Sequence, residues 1–335
     1  MKRLIPLFLL VVLLYPTCYG QSGDRVFDQS FSLRAGDALS VATSSSDVII
    51  RSGSGNEARV EVYGKGSDLD EAFERLRFSA QKEGDRLVVK TEREGTNWGG
   101  RNRASFDIVV TVPERIDFRI ATSSGDIAFD ALEGDGVIAT SSGDIEIGSV
   151  RGSLGVATSS GDVSADRIEG ETEFSTSSGD VEVETIRGAS VAFSSSSGDF
   201  EAERVDTDRF TGNTSSGDIS IGSLSGNAEA SSSSGDIEIG QLEGSLAAST
   251  SSGDVEVGLA KPGAVDVNTG SGGVRLVAPA SLAADVDIQG GSIRIDRDFR
   301  FAGEVKRRSA EGQIGGGGQP LKVRTGSGSV ALVAR

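Results

Sequence analysis

The sequence has no histidine and a single cysteine, Cys18. Without histidine, no Ser-His or Cys-His nucleophile pair and no His-ligated metal site can be assembled. Cys18 lies in a stretch that reads as a secretory signal over residues 1–20: Lys2 and Arg3, an apolar run from Leu4 to Leu14, then Cys18-Tyr19-Gly20 before Gln21. Cleavage after Gly20 leaves a mature chain without thiols, which excludes disulfides and thiol chemistry. Acylation of Cys18 needs a lipobox, and Tyr15-Pro16-Thr17-Cys18 is a poor one, so lipoprotein anchoring is disfavoured. Long apolar runs are missing too. The Leu4–Leu14 run is short for a membrane span, and no later segment replaces it. The expected location is the periplasm, the cell surface or the medium.

Positive charge is also scarce. Lys and Arg number 33 against 50 Asp and Glu, a net charge of −17. Without Lys2 and Arg3 the balance is 31 against 50, or −19. Such acidity argues against nucleic acid and anionic lipid as partners. Gly64-Lys65-Gly66 lacks the Ser/Thr that a phosphate-binding loop requires.

What the chain has is repetition. Ser-Ser-Gly-Asp recurs with its glycine at Gly125, Gly143, Gly161, Gly179, Gly198, Gly217, Gly235 and Gly253, at steps of 18 or 19 residues. Degenerate copies stand at Ser44-Ser45-Ser46-Asp47, Ser271-Gly272-Gly273 and Ser327-Gly328-Ser329. A fixed period over so many copies is the mark of stacked repeats. Apolar side chains recur two residues after the glycine (Ile127, Ile145, Val163), four after (Phe129, Ile147) and seven after (Leu132, Val150, Ile168). Another set stands five before it (Ile120, Ile138, Val156, Phe174). Alternation within each repeat is that of β-strands, and columns that keep identity favour one coil per repeat over a meander. A glycine two residues after Leu132, Val150, Ile168, Ile186, Leu224 and Leu242 predicts a second corner. The fold class predicted is all-β, a parallel β-solenoid with coils about 4.8 Å apart. Glycine is abundant and aromatics few, as in disordered chains, but the ordered columns overrule that reading.

Outside the repeats the pattern loosens. Residues 21–115 alternate in several short runs, with a helix predicted over Ser67–Leu76 and Ser67 as its N-cap. This part is expected to cap the solenoid, whose open end would expose unpaired strand edges. Regular coils fill 116–262, and 263–335 reads as irregular coils and a cap, ending in a last degenerate coil or cap at Val323–Leu332. Arg294, Arg297, Arg300, Lys306, Arg307 and Arg308 form the one basic neighbourhood in sequence.

Strands of the Phe-x-Leu and Leu-x-Val type near the start, then Val112-Pro113-Glu114, then stacked Ser-Ser-Gly-Asp-Ile/Val units, resemble the DUF4097 family. That family carries an adhesin label, and its relatives include the head domains of auto-transporter adhesins. The resemblance covers nearly all of the mature chain. It implies a β-solenoid at a bacterial envelope and supplies no catalytic residues.

Three features suggest sites. Asp126, Asp144, Asp162, Asp180, Asp199, Asp218, Asp236 and Asp254 form a column, and Glu146, Glu182, Glu201, Glu238 and Glu256 share its face. Like charges at about 4.8 Å repel by about 0.9 kcal/mol per pair even in water, so a column of oxygen ligands would draw cations such as Ca²⁺. The favoured reading is that each aspartate bonds backbone at its glycine turn, with weak Ca²⁺ binding as a by-product and no resident cofactor. The second feature is an outward strip of Ser123, Ser141, Ser159, Ser177, Ser196, Ser215, Ser233 and Ser251, suited to a glycan or a partner surface, or simply to solubility. The neighbouring column of Thr122, Thr140, Thr158, Thr176, Ser195, Thr214, Ser232 and Thr250 is expected inside, as a hydroxyl ladder. The third is Trp98 with Arg101 and Arg103, either a sugar platform or a loop tucked over the cap. Asn213-Thr214-Ser215 matches a glycosylation sequon inside a repeat, where chance accounts for it.

The reading that follows is an exported, non-catalytic, adhesin-like binding module contacting envelope or surface glycans or proteins. A structural or signalling spacer is the alternative. A polysaccharide-active enzyme ranks last, because a catalytic carboxylate pair is singular and sits in a cleft, whereas these carboxylates recur in every coil.

Overall fold

The structure is a computed structural model, described for residues 23–92 and 104–335. The signal segment, Cys18, Trp98, Arg101 and Arg103 lie outside the described residues. Each coil carries one strand after the Ser-Ser-Gly-Asp corner and another before the next one. Ile127–Glu133, Ile145–Arg151 and Val163–Glu169 stack in parallel, as do Gly136–Ala139, Leu154–Ala157 and Thr172–Ser175. From Val181 onward the two strands of a coil merge through the second corner into single 14-residue strands, such as Val181–Ser194 and Phe200–Asn213. Register is strict: Ile145, Val163, Val181, Phe200, Ile219, Ile237 and Val255 lie one above another. The chain is the parallel β-solenoid that its columns predict.

Those columns form one continuous core, and all the apolar side chains quoted above are buried. A further inward column runs through Leu154, Thr172, Val191, Phe210, Ala228, Leu246 and Val265. Its mixed sizes hide it in the sequence. Size is balanced between neighbours. The rings of Phe193 and Phe200 lie 5.1 Å apart and those of Phe200 and Phe210 5.4 Å, in the coil where Gly212 stands in place of a side chain. A Cβ on Gly212 would come within 3.0 Å of the Phe210 ring and of Ile219. Gly136 likewise leaves room for Phe118, which occupies the space its Cβ would need, at 2.1 Å.

The order of coils in the stack is not their order in the chain. Ala38–Ala42 and Asp47–Gly53 form a coil that pairs on one side with Asp117–Ala121 and Ile127–Glu133. On its other side it pairs with the later strands Arg86–Thr91 and Ser105–Pro113. The first coil of the chain is therefore second in the stack. The other end mirrors this. Gln319–Thr325 and Ser329–Ala334, which contain the degenerate coil or cap read from sequence at Val323–Leu332, are inserted between the strands Val255–Thr269 and Val274–Ala278 and the earlier-encoded pair Ala284–Gln289 and Ser292–Ile295.

Antiparallel strands cover both ends. Glu57–Lys65 lies on Ser105–Pro113, Asp24–Ser32 on Glu57–Lys65, and Phe78–Glu83 on Arg86–Thr91. At the far end Ser309–Ile314 lies on Ala284–Gln289, and Phe301–Val305 on Ser309–Ile314. Such pairing turns parallel edges, which would otherwise recruit further strands, into short hairpins.

Two local expectations change. The helix spans Leu69–Leu76, and its N-cap position is Asp68, in a left-handed conformation without a side-chain cap bond, rather than Ser67. Packing holds it instead: Leu76 is buried and the Phe73 ring lies 5.6 Å from both Phe78 and Phe106. The basic neighbourhood is also divided. The Arg300 carbonyl accepts from Gly315 N–H and the Arg308 carbonyl from Gly290 N–H, at opposite ends of the Phe301–Ile314 hairpin. Five strand residues separate them by about 17 Å.

Candidate functional site

The repeated corner is built from three bonds per coil. The hydroxyl of Thr122, Thr140, Thr158 or Thr176 accepts the N–H of the glycine three residues on, at 2.9–3.1 Å. Ser195, Thr214, Ser232 and Thr250 do the same at 2.7–3.1 Å. The column is internal, as parity predicts, and its hydroxyls bond backbone, with one hydroxyl-to-hydroxyl link at its start, from Thr43 to Thr122 at 3.2 Å. In the later coils they also donate across to the preceding glycine carbonyl, as Thr250 does to Gly235 at 3.3 Å.

The aspartates make the second bond. Oδ1 of each accepts the N–H of the aspartate in the following coil: Asp144 from Asp162 at 3.0 Å, Asp162 from Asp180 at 2.9 Å, Asp236 from Asp254 at 2.7 Å. The ladder starts at Asp47 and ends at Gly273. The backbone they hold is thus that of the next turn, not their own. The third bond joins Ser142 N–H to the Ser123 carbonyl at 3.1 Å, and recurs as Ser160 to Ser141 and Ser178 to Ser159 at 3.0 Å.

Glycine is required here for clearance. A Cβ on Gly161 would stand 1.9 Å from the Gly143 carbonyl oxygen, and on Gly143 2.0 Å from that of Gly125. At the second corner the reason differs in part, since Gly152 has φ of 148°, a region that side chains avoid.

Outside this corner runs the serine strip, with Ser123, Ser141, Ser159, Ser177, Ser196, Ser215, Ser233 and Ser251 all exposed. Beside it Asp126, Asp144, Asp162, Asp180, Glu146 and Glu182 line a groove of about 420 Å³. Further along, carboxylates crowd one another until Arg275 pairs with Glu256 at 3.0 Å. Glu201 is pushed above the usual carboxylate range by burial first, then by Glu182, Glu203 and Asp199. Glu184 is raised by burial and by Asp166, Glu203 and Glu182. Burial, with Glu146, raises Asp166. These carboxylates stand in a row at coil spacing. Among the described residues no three His, Cys, Asp or Glu converge to hold a metal ion.

A neighbouring column is balanced instead. Glu133, Arg151, Glu169, Arg187 and Asp206 are successive partners in register and alternate in sign. Arg151 binds Glu133 at 3.0 Å and Glu169 at 3.3 Å, which stabilises its charged form. Such a ladder favours one coil register over a slip by one coil. Asn213, of the sequon, is exposed and accepts from the Ser231 hydroxyl at 2.6 Å.

A concavity that the repeat pattern does not announce lies on the strands before the serine corner. It has a volume of about 460 Å³ and runs past Arg209, Glu229, Ala247 and Lys322. In sequence its only signals are lapses: a 19-residue step and Lys261-Pro262-Gly263 at a corner.

The model of the family described as Toastrack DUF4097 matches residues 37–188 and 170–333. Among solved structures, the chain is similar to a "putative adhesin" from Parabacteroides distasonis ATCC 8503, with 13% identity, 93% of this chain and 98% of that chain covered, and a TM-score of 0.40. A "putative lipid binding protein" from the same strain has 14% identity, coverage of 92% and 96%, and a TM-score of 0.38. A "putative adhesin" from Parabacteroides merdae ATCC 43184 has 15% identity, coverage of 75% and 95%, and a TM-score of 0.39. No curated protein matches the chain. Two overlapping matches that together run from Asp37 to Val333 place the chain in the Toastrack DUF4097 family.

Proposed function

We propose that the chain is an exported, non-catalytic binding module of the bacterial envelope or surface, adhesin-like in that its repeated faces contact glycans or proteins. The observation that carries this reading is the serine strip. Eight exposed serines stand at coil spacing on a corner whose backbone is fixed by hydroxyl, carboxylate and carbonyl bonds. A surface held this rigidly loses little conformational freedom on binding, so a periodic ligand can add weak contacts coil by coil. The carboxylate rows beside it repel polyanions and direct the strip toward neutral or basic partners.

The test is binding of the full chain to a panel of envelope and host glycans, with Ca²⁺ and with chelator. Saturable binding that disappears when Ser159, Ser177 and Ser196 are replaced by tyrosine supports the strip. Dependence on Ca²⁺ would bring in the aspartates, whose second carboxylate oxygen is left over by the ladder. Absence of binding to every glycan would move the search to protein partners and remove the glycan half of the proposal.

A further inference from the structure

The concavity between Arg209 and Lys322 is where the solenoid stops being regular. Five strands cross it: Phe200–Asn213, Ile219–Ser232, Ile237–Thr250, Val255–Thr269 and Gln319–Thr325. Four strand spacings give a trough about 19 Å long, parallel to the solenoid axis. Long side chains stand at its ends and short ones along its middle. Arg209, Glu229 and Lys322 are exposed, whereas the floor between them is Ser245, Ala247 and Ala264, with Pro320 beside Lys322.

A second observation marks the same place. Register breaks between Asp206 and Arg209, and again between Gly244 and Leu246. Bulges re-aim side chains and gather beside functional sites. Two further shifts, at Ile239–Leu242 and Leu242–Glu243, lie in the same pair of strands. Among the described parallel strand pairs only Phe200–Asn213 with Ile219–Ser232 and Ile237–Thr250 with Val255–Thr269 carry such shifts, and both pairs line the trough.

The chemistry of the lining selects a ligand class. Two cations, Arg209 and Lys322, face two carboxylates, Glu229 and Asp266, so the trough is neutral within a chain of net charge −17. Among the described residues Arg209 and Lys322 make no ion pair within 4.0 Å, and Asp266 lies in register with Lys322. Donors and acceptors therefore alternate along the rim, over a floor of methyl groups. A sugar hydroxyl both donates and accepts, and the C–H face of a pyranose ring suits an alanine floor. A peptide adding itself as a strand is disfavoured, because the central strand Ile237–Thr250 is already paired on both sides. An acyl chain would need an enclosed cavity, and this trough is open.

We infer that this trough is a binding site for an uncharged oligosaccharide lying along the solenoid axis. The inference rests on the reading of the chain as a binding module and moves the specific site away from the serine strip. Ala247 is exposed and its side chain leaves the core untouched, so Ala247→Trp should fill the trough without unfolding the coil.

The experiment is calorimetric titration of the full chain with cellotetraose, chitotetraose and tetragalacturonate, each against wild type, Ala247→Trp, Arg209→Ala and Ser159→Trp, with melting curves as the folding control. Binding of a neutral tetrasaccharide that falls about tenfold or more in Ala247→Trp and severalfold in Arg209→Ala is the expected result. Loss in Ser159→Trp with retention in Ala247→Trp would overturn the trough and leave the serine strip standing. Preference for tetragalacturonate, or no binding of any of the three, would also overturn it, while the wider glycan panel decides the binding-module reading separately.

Discussion

The two corners of each coil meet the same stacking problem with different means. At the Ser-Ser-Gly-Asp corner, aspartate bonds run from Asp47 to Gly273 without a gap, and each coil with the full tetrad adds a buried or half-buried hydroxyl bond to its glycine. At the second corner the equivalent ladder goes from Asp117 through Asp135 to Ser153 and stops. An asparagine link, Asn227 to Ser245 at 3.3 Å, appears further along. Where the bonds lapse, strands run through the corner unbroken and bulges enter. The repeated letters record what stacking demands. The freed corner borders the trough, and this is where the chain has room to acquire a specific surface.

The comparison can be broken most forcefully at glycine. Gly161→Ala puts a Cβ 1.9 Å from a backbone oxygen that has no room to yield, whereas Gly155→Ala on the open strand face meets nothing within 4 Å. Denaturant unfolding should show a loss of about 3 kcal/mol for the first and a change within about 0.5 kcal/mol for the second. Equal effects would mean that the stack relaxes freely.

Next comes the buried hydroxyl. Thr158→Val keeps the shape and leaves the Gly161 N–H without its acceptor, at a cost of about 1–3 kcal/mol. Asp135→Ala removes the acceptor for Ser153 N–H at the exposed second corner, where water replaces it, and should cost less than about 1 kcal/mol. Reversal of that order in melting curves would reverse the assignment of the locked corner.

The aspartate ladder separates bond from charge. Asp162→Ala leaves Asp180 N–H without a partner and should destabilise by about 1 kcal/mol. Asp162→Asn retains a carbonyl acceptor and takes one negative charge out of the row, so its melting temperature should equal or exceed wild type. A loss in Asp162→Asn as large as in Asp162→Ala would show that the charge itself is stabilising.

The smallest effect is in pH. Glu184, Glu201 and Asp166 have folded pKa values above their unfolded ones, so the folded state binds more protons between the two. Their penalty is full at neutral pH and is relieved as pH falls toward the ordinary carboxylate range. Melting temperature should rise modestly from pH 7 to pH 5, and the slope should flatten in Glu184→Gln with Glu201→Gln. Below that range the sign turns, since the bonds from Arg59 to Asp28 and from the Arg34 N–H to Asp37 hold those two carboxyls below their usual values, and protonation removes their contribution.

Sequence carried the fold because every coil restates it: Ile145, Val163 and Val181 announce one column by identity alone. It carried the inward place of Thr158 by parity and the backbone role of Asp162 by its glycine neighbour, though not which turn that carboxylate binds. The inverted coil order escaped it, since the pairing of Leu39 with both Leu87 and Phe118 depends on long-range geometry that no local pattern encodes. The column through Thr172 and Ala228 escaped because those two small or polar residues interrupt a series of otherwise unequal apolar ones. The trough escaped for a related reason: Ser245, Ala247 and Ala264 matter there for what they lack.

The tucked first and last coils have a mechanical consequence. A pull on Ser329–Ala334 does not reach an outermost layer that could peel away strand by strand, since that strand is gripped between Val274–Ala278 and Ser292–Ile295. At the other end Asp24–Ser32 is an edge strand and can peel, but the next layer in the chain, Ala38–Ala42, is gripped between Arg86–Thr91 and Asp117–Ala121. Tension on these tucked coils is therefore shared among several strands at once, as in a knot that tightens before it slips, while tandem duplication of an 18-residue unit in the middle would lengthen the rod and leave both fastenings as they are.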